Sequence, residues 1–378
     1  MRKKIAIVNR TNLKNYGSVL QVYALCNIVN NMGYDSEVFW QSGNLSKNFD
    51  IRPNKIIKIG LKLLSHPSLL WDTIKTIKEV NAIVIDEDKV KLFEDFVQKN
   101  FIQSLYSANE IPAVANSDKY HKFICGSDQI WVTTTLYPDP MFYLRFAPKH
   151  KRVAYAPSLG RDYIPNYNKR VLKKYISDVP CLSVREDEGQ RLIKNLTGRE
   201  AVVVADPTLL IRSKVWDKLK KDIATPDKYV LCYFLDEPSL TVKEGICEYA
   251  RQTNSEIVVL GKVDSLDYPL KKIHRPVAGP AEFLSLTSKA DMIITDSYHG
   301  MLFAINYHKR FWSVERAYSQ YDQSSRQQTV LSRLGLEDRY LKSDFHFAEA
   351  VIDYNLIQNR LDKFVEFSMN YLKDALNS

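Results

Sequence analysis

The chain is poor in cysteine, with five among 378 residues. Cys26, Cys125, Cys181, Cys232 and Cys247 are odd in number and widely scattered, and three sit in apolar, strand-like runs. That argues against a disulfide frame or a zinc site and for buried thiols in a reducing compartment. No window approaches the ~18 uninterrupted apolar residues of a membrane-spanning helix. After Met1-Arg2-Lys3-Lys4 only Ile5–Val8 are apolar before Asn9, where a signal peptide needs roughly 7–15. The run reads instead as a buried first strand, and the expected location is cytoplasmic. There is no low-complexity tract and no repeat of fixed period. No Lys/Arg run reads as a nucleic-acid tail, and zinc-finger spacing and RNA-binding signatures are missing, so no nucleic-acid partner is expected. HExxH, paired-histidine spacing, GxSxG, the Walker loop and GxGxxG are all absent. The expectation is no protein-bound metal and no bound cofactor.

Hydrophobic residues make up 45% and charged residues 26%, the composition of a globular protein with a real core. At roughly 100–200 residues per domain, the length suits two domains. A net charge of +9 attracts anions, whether phosphorylated metabolites, nucleic acid or an anionic membrane face.

Short apolar runs alternate with amphipathic stretches. Strands are expected at Ile5–Val8, Glu37–Trp40, Lys122–Cys125, Arg152–Ala156, Cys181–Val184, Ala201–Val204, Tyr229–Phe234, Glu256–Leu260, Met292–Thr295 and Phe311–Val314. Helices are expected between them, at Val19–Asn31, Lys169–Ile176, Leu240–Gln252, Ala281–Ser288 and Met301–Tyr307. Such alternation with buried strands predicts an α/β fold of parallel sheets covered by helices. Asp206-Pro207-Thr208 closes the first set of strands, and Pro207 suits a junction because it biases its predecessor away from helix. Two Rossmann-like domains are expected, 1–210 and 211–378, their parallel sheets facing across a cleft. A helical insertion interrupts the first at about 55–100, and the helical segment Phe345–Leu376 is expected to pack back on the first domain.

Within the insertion, Lys55–Val80 sets Lys55, Lys58 and Lys62 against Ile56, Ile59 and Leu63. Two placements fit this pattern. A basic amphipathic helix bearing Trp71 lies on an anionic membrane surface, or a cleft-covering helix docks its apolar face on protein.

Ligands of open parallel sheets sit beyond the carboxyl ends of the strands, so the residues that follow each strand are the candidates. After the first strand, Gly17 and Ser18 near a helix start could offer N–H groups to an anion, or Ser18 could simply cap the helix. After Cys125 come Gly126, Ser127, Asp128 and Gln129, a polar loop that is either a hydrogen-bonded turn or a site. After Val184 comes Arg185, whose planar fork suits carboxylate or phosphate; the alternative is a salt bridge with Glu186 or Asp187. After Thr295 come Asp296-Ser297-Tyr298-His299-Gly300 and a helix. His299 is the candidate general acid or base, with Asp296 as the group that orients its ring. Ser297 and the helix-start N–H groups add anion-binding capacity. Arg326 is a candidate second anion clamp.

Asn15-Tyr16-Gly17-Ser18-Val19-Leu20-Gln21, the CGSDQIW stretch Cys125–Trp131, SVRE at Ser183–Glu186, Asp206-Pro207-Thr208 and TDSYHG at Thr295–Gly300 together resemble the polysaccharide pyruvyl transferases, over roughly residues 4 to 340. The resemblance implies a fold similar to two-domain GT-B glycosyltransferases. It implies transfer of pyruvate from phosphoenolpyruvate, as co-substrate, onto a sugar as a ketal, in making a cell-surface or capsular polysaccharide. It assigns His299 to catalysis and Arg185 to donor binding, and Ser297, Gly300 and Arg326 are the further candidates for holding the donor. Asn15, Tyr16, Gly17, Gln21, Gly126, Ser127, Asp128, Gln129 and Glu186 remain for the acceptor or the cleft. Many members read Arg-Leu-His where this chain has Ser297-Tyr298-His299. Either Arg326 or a lysine supplies the missing charge, or the donor differs. Two other readings stay open, a nucleotide-sugar glycosyltransferase of similar fold and a non-catalytic carbohydrate-binding protein. The basic charge and the Lys55–Val80 segment suit a lipid-diphosphate-linked glycan acceptor reached by peripheral contact with the inner membrane face.

Overall fold

A computed structural model describes residues 2–9, 15–41, 52–70, 86–316, 324–342, 347 and 352–378. The first sheet contains β1 (Lys4–Val8), β2 (Asp35–Gln41), β3 (Gln103–Tyr106), β4 (Lys122–Cys125) and β5 (Arg152–Ala154), in the order β3-β2-β1-β4-β5. β6 (Ser183–Val184) and β7 (Val202–Val203) pair with each other, and a bridge from Val153 to Cys181 ties them to β5. The second sheet contains β8 (Tyr229–Phe234), β9 (Glu256–Gly261), β10 (Ile273–His274), β11 (Met292–Thr295), β12 (Arg310–Val314) and β13 (Tyr340–Leu341), in the order β10-β9-β8-β11-β12-β13. Every ladder is parallel. β4 and β8 are buried along their whole length, as strands covered by helices on both faces must be.

The helices are α1 (Tyr16–Asn31), α2 (Arg52–Ser65), α3 (Glu87–Asn100), α4 (Glu110–Asn116), α5 (Asn166–Ser177), α6 (Asp187–Thr197), α7 (Pro207–Leu210), α8 (Ser213–Asp217), α9 (Leu240–Gln252), α10 (Pro280–Lys289), α11 (Tyr298–Asn306), α12 (Ser325–Leu334) and α13 (Tyr354–Asn377). Sequence and structure agree on two Rossmann-like units. The edge strands β3, β10 and β13 went unanticipated because none is a continuous apolar run; QSLY in β3 alternates between exposed and half-buried residues, the pattern of a strand covered incompletely.

One hydrophobic core joins the faces of both sheets, from Ile5 and Leu20 through Phe283 and Leu302 to Leu372. Tyr16 sits in its middle. Its ring stacks on Phe283 at 4.5 Å between centroids, and its hydroxyl donates to the Ala278 carbonyl at 3.0 Å. α13 lies along the first sheet, where Ser368 Oγ accepts the Ala205 N–H (2.9 Å) and the Tyr371 hydroxyl donates to the Ala154 carbonyl (3.1 Å). The five cysteines are free thiols, four of them buried. Among the described residues no helix is long and apolar enough to cross a membrane.

Candidate functional site

Both sheets reverse their strand order once, between β1 and β4 in the first and between β8 and β11 in the second. Loops diverge at such points and leave a crevice at the carboxyl ends of the strands. The two crevices face each other and enclose a cavity of about 340 Å³, lined by Asn15, Ser18, Asp128, Gln129, Ile130, Leu235, Ser297, Tyr298, His299, Arg316 and Arg326. All four switch-point loops contribute, joined by Arg316 beyond β12 and Arg326 from α12.

α11 begins at Tyr298, three residues before the expected start, so His299 lies in its first turn. Ser297 caps that turn, its hydroxyl accepting the Gly300 N–H at 3.3 Å. Gly300 is small of necessity, since a Cβ there would fall 2.5 Å from Thr295 Oγ1. The His299 ring is fixed from two sides. On one it rests on Gly17, where a Cβ would fall 2.0 Å from Nδ1. On the other its Nε2 faces Asp206 Oδ2 at 3.6 Å.

The carboxylate that faces the ring is therefore Asp206, and the expectation for Asp296 is corrected. Asp296 turns away and accepts the N–H groups of Leu235 (2.8 Å) and Asp236 (3.0 Å), and its carboxylate meets Arg316 Nε at 3.5 Å. It ties β8 to β11 and steadies an arginine of the cavity wall. Backbone N–H groups satisfy both of its oxygens, which is why it serves the loop and not the ring.

Asp206 is the hub behind the site. Its Oδ2 accepts from Ser127 Oγ (2.9 Å) and Arg185 Nη1 (2.8 Å), and its Oδ1 from the Thr208 N–H (3.0 Å) and hydroxyl (2.8 Å). Burial by itself would raise this carboxyl; His299 and Arg185 outweigh it and hold the group well below the usual carboxylate range.

Arg185 is wholly buried, and its partners are Asp206 and Asp128 (3.2 Å from Nη2), with Glu186 Oε2 at 3.9 Å from Nε. It lies behind the cavity, not on its wall. Burial works against its charge, but Tyr298, Asp206, Asp128 and Glu186 together hold its pKa above the ordinary arginine value. The Tyr298 ring carries the Arg185 guanidinium at 4.5 Å and the Arg326 guanidinium at 5.6 Å, a cation–π platform for two cations. Arg326 is buried as well, and burial together with the neighbouring Arg185 and Arg316 charges pushes it down to about 9. A cation so placed gains from any anion that enters the cavity.

The remaining expected residues divide between wall and support. Asn15, Asp128, Gln129, Ser297, His299 and Arg326 reach the cavity. Asn15 caps α1 by accepting the Ser18 N–H (3.2 Å), so Ser18 is not the cap. Gln21 is buried and holds the β4 loop, accepting from Asn9 Nδ2 (3.0 Å) and from the Ser127 N–H (3.1 Å). Gly126, at φ 131°, lies where a Cβ would fall 1.8 Å from the Tyr155 carbonyl oxygen. Glu186 accepts the Leu159 N–H (2.7 Å), and burial raises its carboxyl against the pull of Arg185. Tyr16 belongs to the shared core. Sequence reasoning missed Arg316, Asp206 and Tyr298 as site residues. Asp206 and Tyr298 carried a signal, in the Asp-Pro-Thr that follows β7 and in TDSYHG; Arg316 carried none.

No group of three His, Cys, Asp or Glu suited to a metal ion occurs among the described residues.

A family model described as polysaccharide pyruvyl transferase matches residues 15–318. Among solved structures the chain is similar to a protein assigned as a UDP-N-acetylglucosamine 2-epimerase from Listeria monocytogenes, at 10% identity and a TM-score of 0.51, over 99% of this chain and 91% of that one. It is also similar to the UDP-GlcNAc 2-epimerase from Neisseria meningitidis bound to UDP-GlcNAc, at 12% identity and a TM-score of 0.49, over 99% and 94% of the two chains. The first likeness supports the GT-B-like fold. No curated protein matches the chain.

Proposed function

The chain belongs to the polysaccharide pyruvyl transferase family, and on that footing we propose that it moves pyruvate from phosphoenolpyruvate onto two hydroxyls of a glycan, with the cavity between the switch-point loops as the donor site. The observation that carries this reading is the cavity wall itself. His299, clamped between Gly17 and Asp206, shares it with Arg316, Arg326 and the amino-terminal turn of α11. Phosphoenolpyruvate brings a phosphate and a carboxylate, and two guanidiniums with a helix start offer charge-assisted donors for both. A cavity of about 340 Å³ stands near the small end of the ~300–1,000 Å³ range of ligand sites, which suits a compact polyanion. Arg316 and Arg326 supply the charge that many relatives place just before the histidine; no lysine lines the described wall.

The reaction needs a group that both gives and takes protons. The donor methylene carbon gains a proton and becomes a methyl group. The adjacent carbon loses phosphate and bonds to two sugar oxygens. Of the two hydroxyl protons released, one balances the new methyl group and one leaves with phosphate. His299 performs this exchange in our reading, since imidazole is suited to both roles near neutral pH. Asp206 compensates the charge the ring gains when it takes a proton, as a buried carboxylate does for a catalytic histidine. Arg185 acts as a positioning residue, locking Asp206 and Asp128 in place from behind the cavity.

The test is a thermal-shift titration with phosphoenolpyruvate beside UDP- and GDP-sugars, on wild type and on Arg316→Ala/Arg326→Ala. A ligand at 100 times its Kd stabilises by about 2.7 kcal/mol. Stabilisation by phosphoenolpyruvate that the double variant loses supports the reading. A shift with a nucleotide sugar alone rejects the donor.

A further inference from the structure

Trp71 and the residues on to Val80 lie outside the described residues; α2 itself does not dock its apolar face on the protein, the second of the two placements its sequence suggested. Its lysines face the protein: Lys62 Nζ donates to the Leu136 carbonyl (2.6 Å) and to Asn168 Oδ1 (2.7 Å), with its ammonium 5.0 Å from the Tyr167 ring centre. Lys55 and Lys58 lie over Tyr137 at 5.4 and 5.9 Å. Burial against this surface pushes Lys62 down to about 8. Asn168, itself buried, is pinned by the Thr133 and Thr135 carbonyls, so the anchor is rigid. The apolar side chains face away, with Ile56 69%, Ile57 57%, Leu61 62% and Leu64 80% exposed. At 100° per residue these four positions share an arc of about 140°, one continuous apolar face. Single exposed apolar side chains need no explanation, but a helix presenting four on one face marks an interaction surface.

We propose that this face of α2 is a docking surface for an anionic lipid bilayer, entering the boundary between headgroups and acyl chains. Charge complementarity selects the occupant. From residue 52 to residue 70 the chain carries Arg52, Lys55, Lys58 and Lys62 and no acidic residue, within a protein of net charge +9. Lys62 is the lysine held by hydrogen bonds; Lys58 is exposed and Lys55 half-exposed, and their long stems let the ammonium groups swing off Tyr137 to meet lipid phosphates at the margin of the apolar arc. An apolar protein partner would gain nothing from that uncompensated charge. A second copy of the chain would repel it. Interfacial helices combine these two features, an apolar arc that enters the lipid and a cationic margin that holds the headgroups. The inference rests on α2 alone and stands whether or not the donor is phosphoenolpyruvate.

The experiment is flotation of the full chain with vesicles of phosphatidylcholine containing phosphatidylglycerol, and of phosphatidylcholine alone, at low and high salt. Wild type floats with the anionic vesicles, and high salt weakens this because it screens the lysines. Leu61→Ser/Leu64→Ser reduces binding at least tenfold with circular dichroism unchanged. Ile57→Trp preserves binding, and its emission shifts to the blue on anionic vesicles as the ring leaves water. No flotation of wild type overturns the proposal, as does equal flotation of the serine variant. Self-association that the serine variant abolishes, without vesicle binding, assigns the face to a second copy and likewise overturns it.

Discussion

The His299 ring rests on Gly17, closely enough that a Cβ on residue 17 would fall 2.0 Å from Nδ1. These residues stand 282 positions apart in the chain, one on the first sheet's leading helix and the other on the second's α11. The contact joins the two units at the site, because the histidine of one half is seated on the backbone of the other.

Gly17→Ala is therefore expected to displace the ring while leaving the cavity cations in place. Turnover should fall by about 10²–10⁴, the usual worth of a positioned proton-transfer group, with donor affinity largely retained. His299→Gln should match it. A steady-state comparison of kcat with donor Kd checks this, and normal turnover in either variant removes His299 from the chemistry.

Asp206→Asn deprives buried Arg185 of its strongest partner and His299 of its facing charge. Breaking a buried pair costs about 3–5 kcal/mol, and the loss should show as a lower urea midpoint. The acid limb supplies an independent check. Asp206 is held below its unfolded pKa of about 3.9. Its contribution is thus complete above about pH 4 and is lost as pH falls toward the folded value. The variant should lose less stability than wild type between pH 4 and pH 2, and an identical acid limb would contradict this.

Tyr298→Leu removes the platform beneath Arg185 and Arg326. Each cation–π contact is worth about 0.5–2 kcal/mol. The expected outcome is a donor KM raised severalfold with kcat less affected, since the arginines loosen while His299 keeps its seat. A fall in kcat with KM unchanged would place the tyrosine in the proton-transfer step instead.

Arg316→Ala leaves Asp296 held by two backbone N–H groups but removes a cation from the cavity wall. Donor affinity measured by calorimetry should drop at least tenfold, and the weakening should shrink at high salt as the remaining charges are screened. Unchanged affinity would exclude Arg316 from the donor site.

The buried strands could be read in the sequence because FIC of β4, YVLCYF of β8 and MII of β11 are short apolar runs between polar loops, as a doubly covered parallel sheet demands. The same logic points to the loops after them as site-bearing, and Asn15, Asp128, Gln129, Ser297, His299 and Arg326 do meet at the cavity. Nearness in sequence points to Asp296 as the orienting carboxylate, but nearness is a poor guide at a strand end, where successive side chains point to opposite sides. Arg316 could not be told from any other arginine that follows a strand.

The sequence by itself determined two parallel-sheet units and the polar, glycine-marked turns at their strand ends, because burial and backbone conformation are local demands that each residue type answers alone. Tertiary structure alone decided which carboxylate faces His299, which arginines line the cavity and which face of α2 meets solvent. Those depend on distances between segments far apart in the chain, and an ion pair or an exposed face is set by what the other segment brings to it.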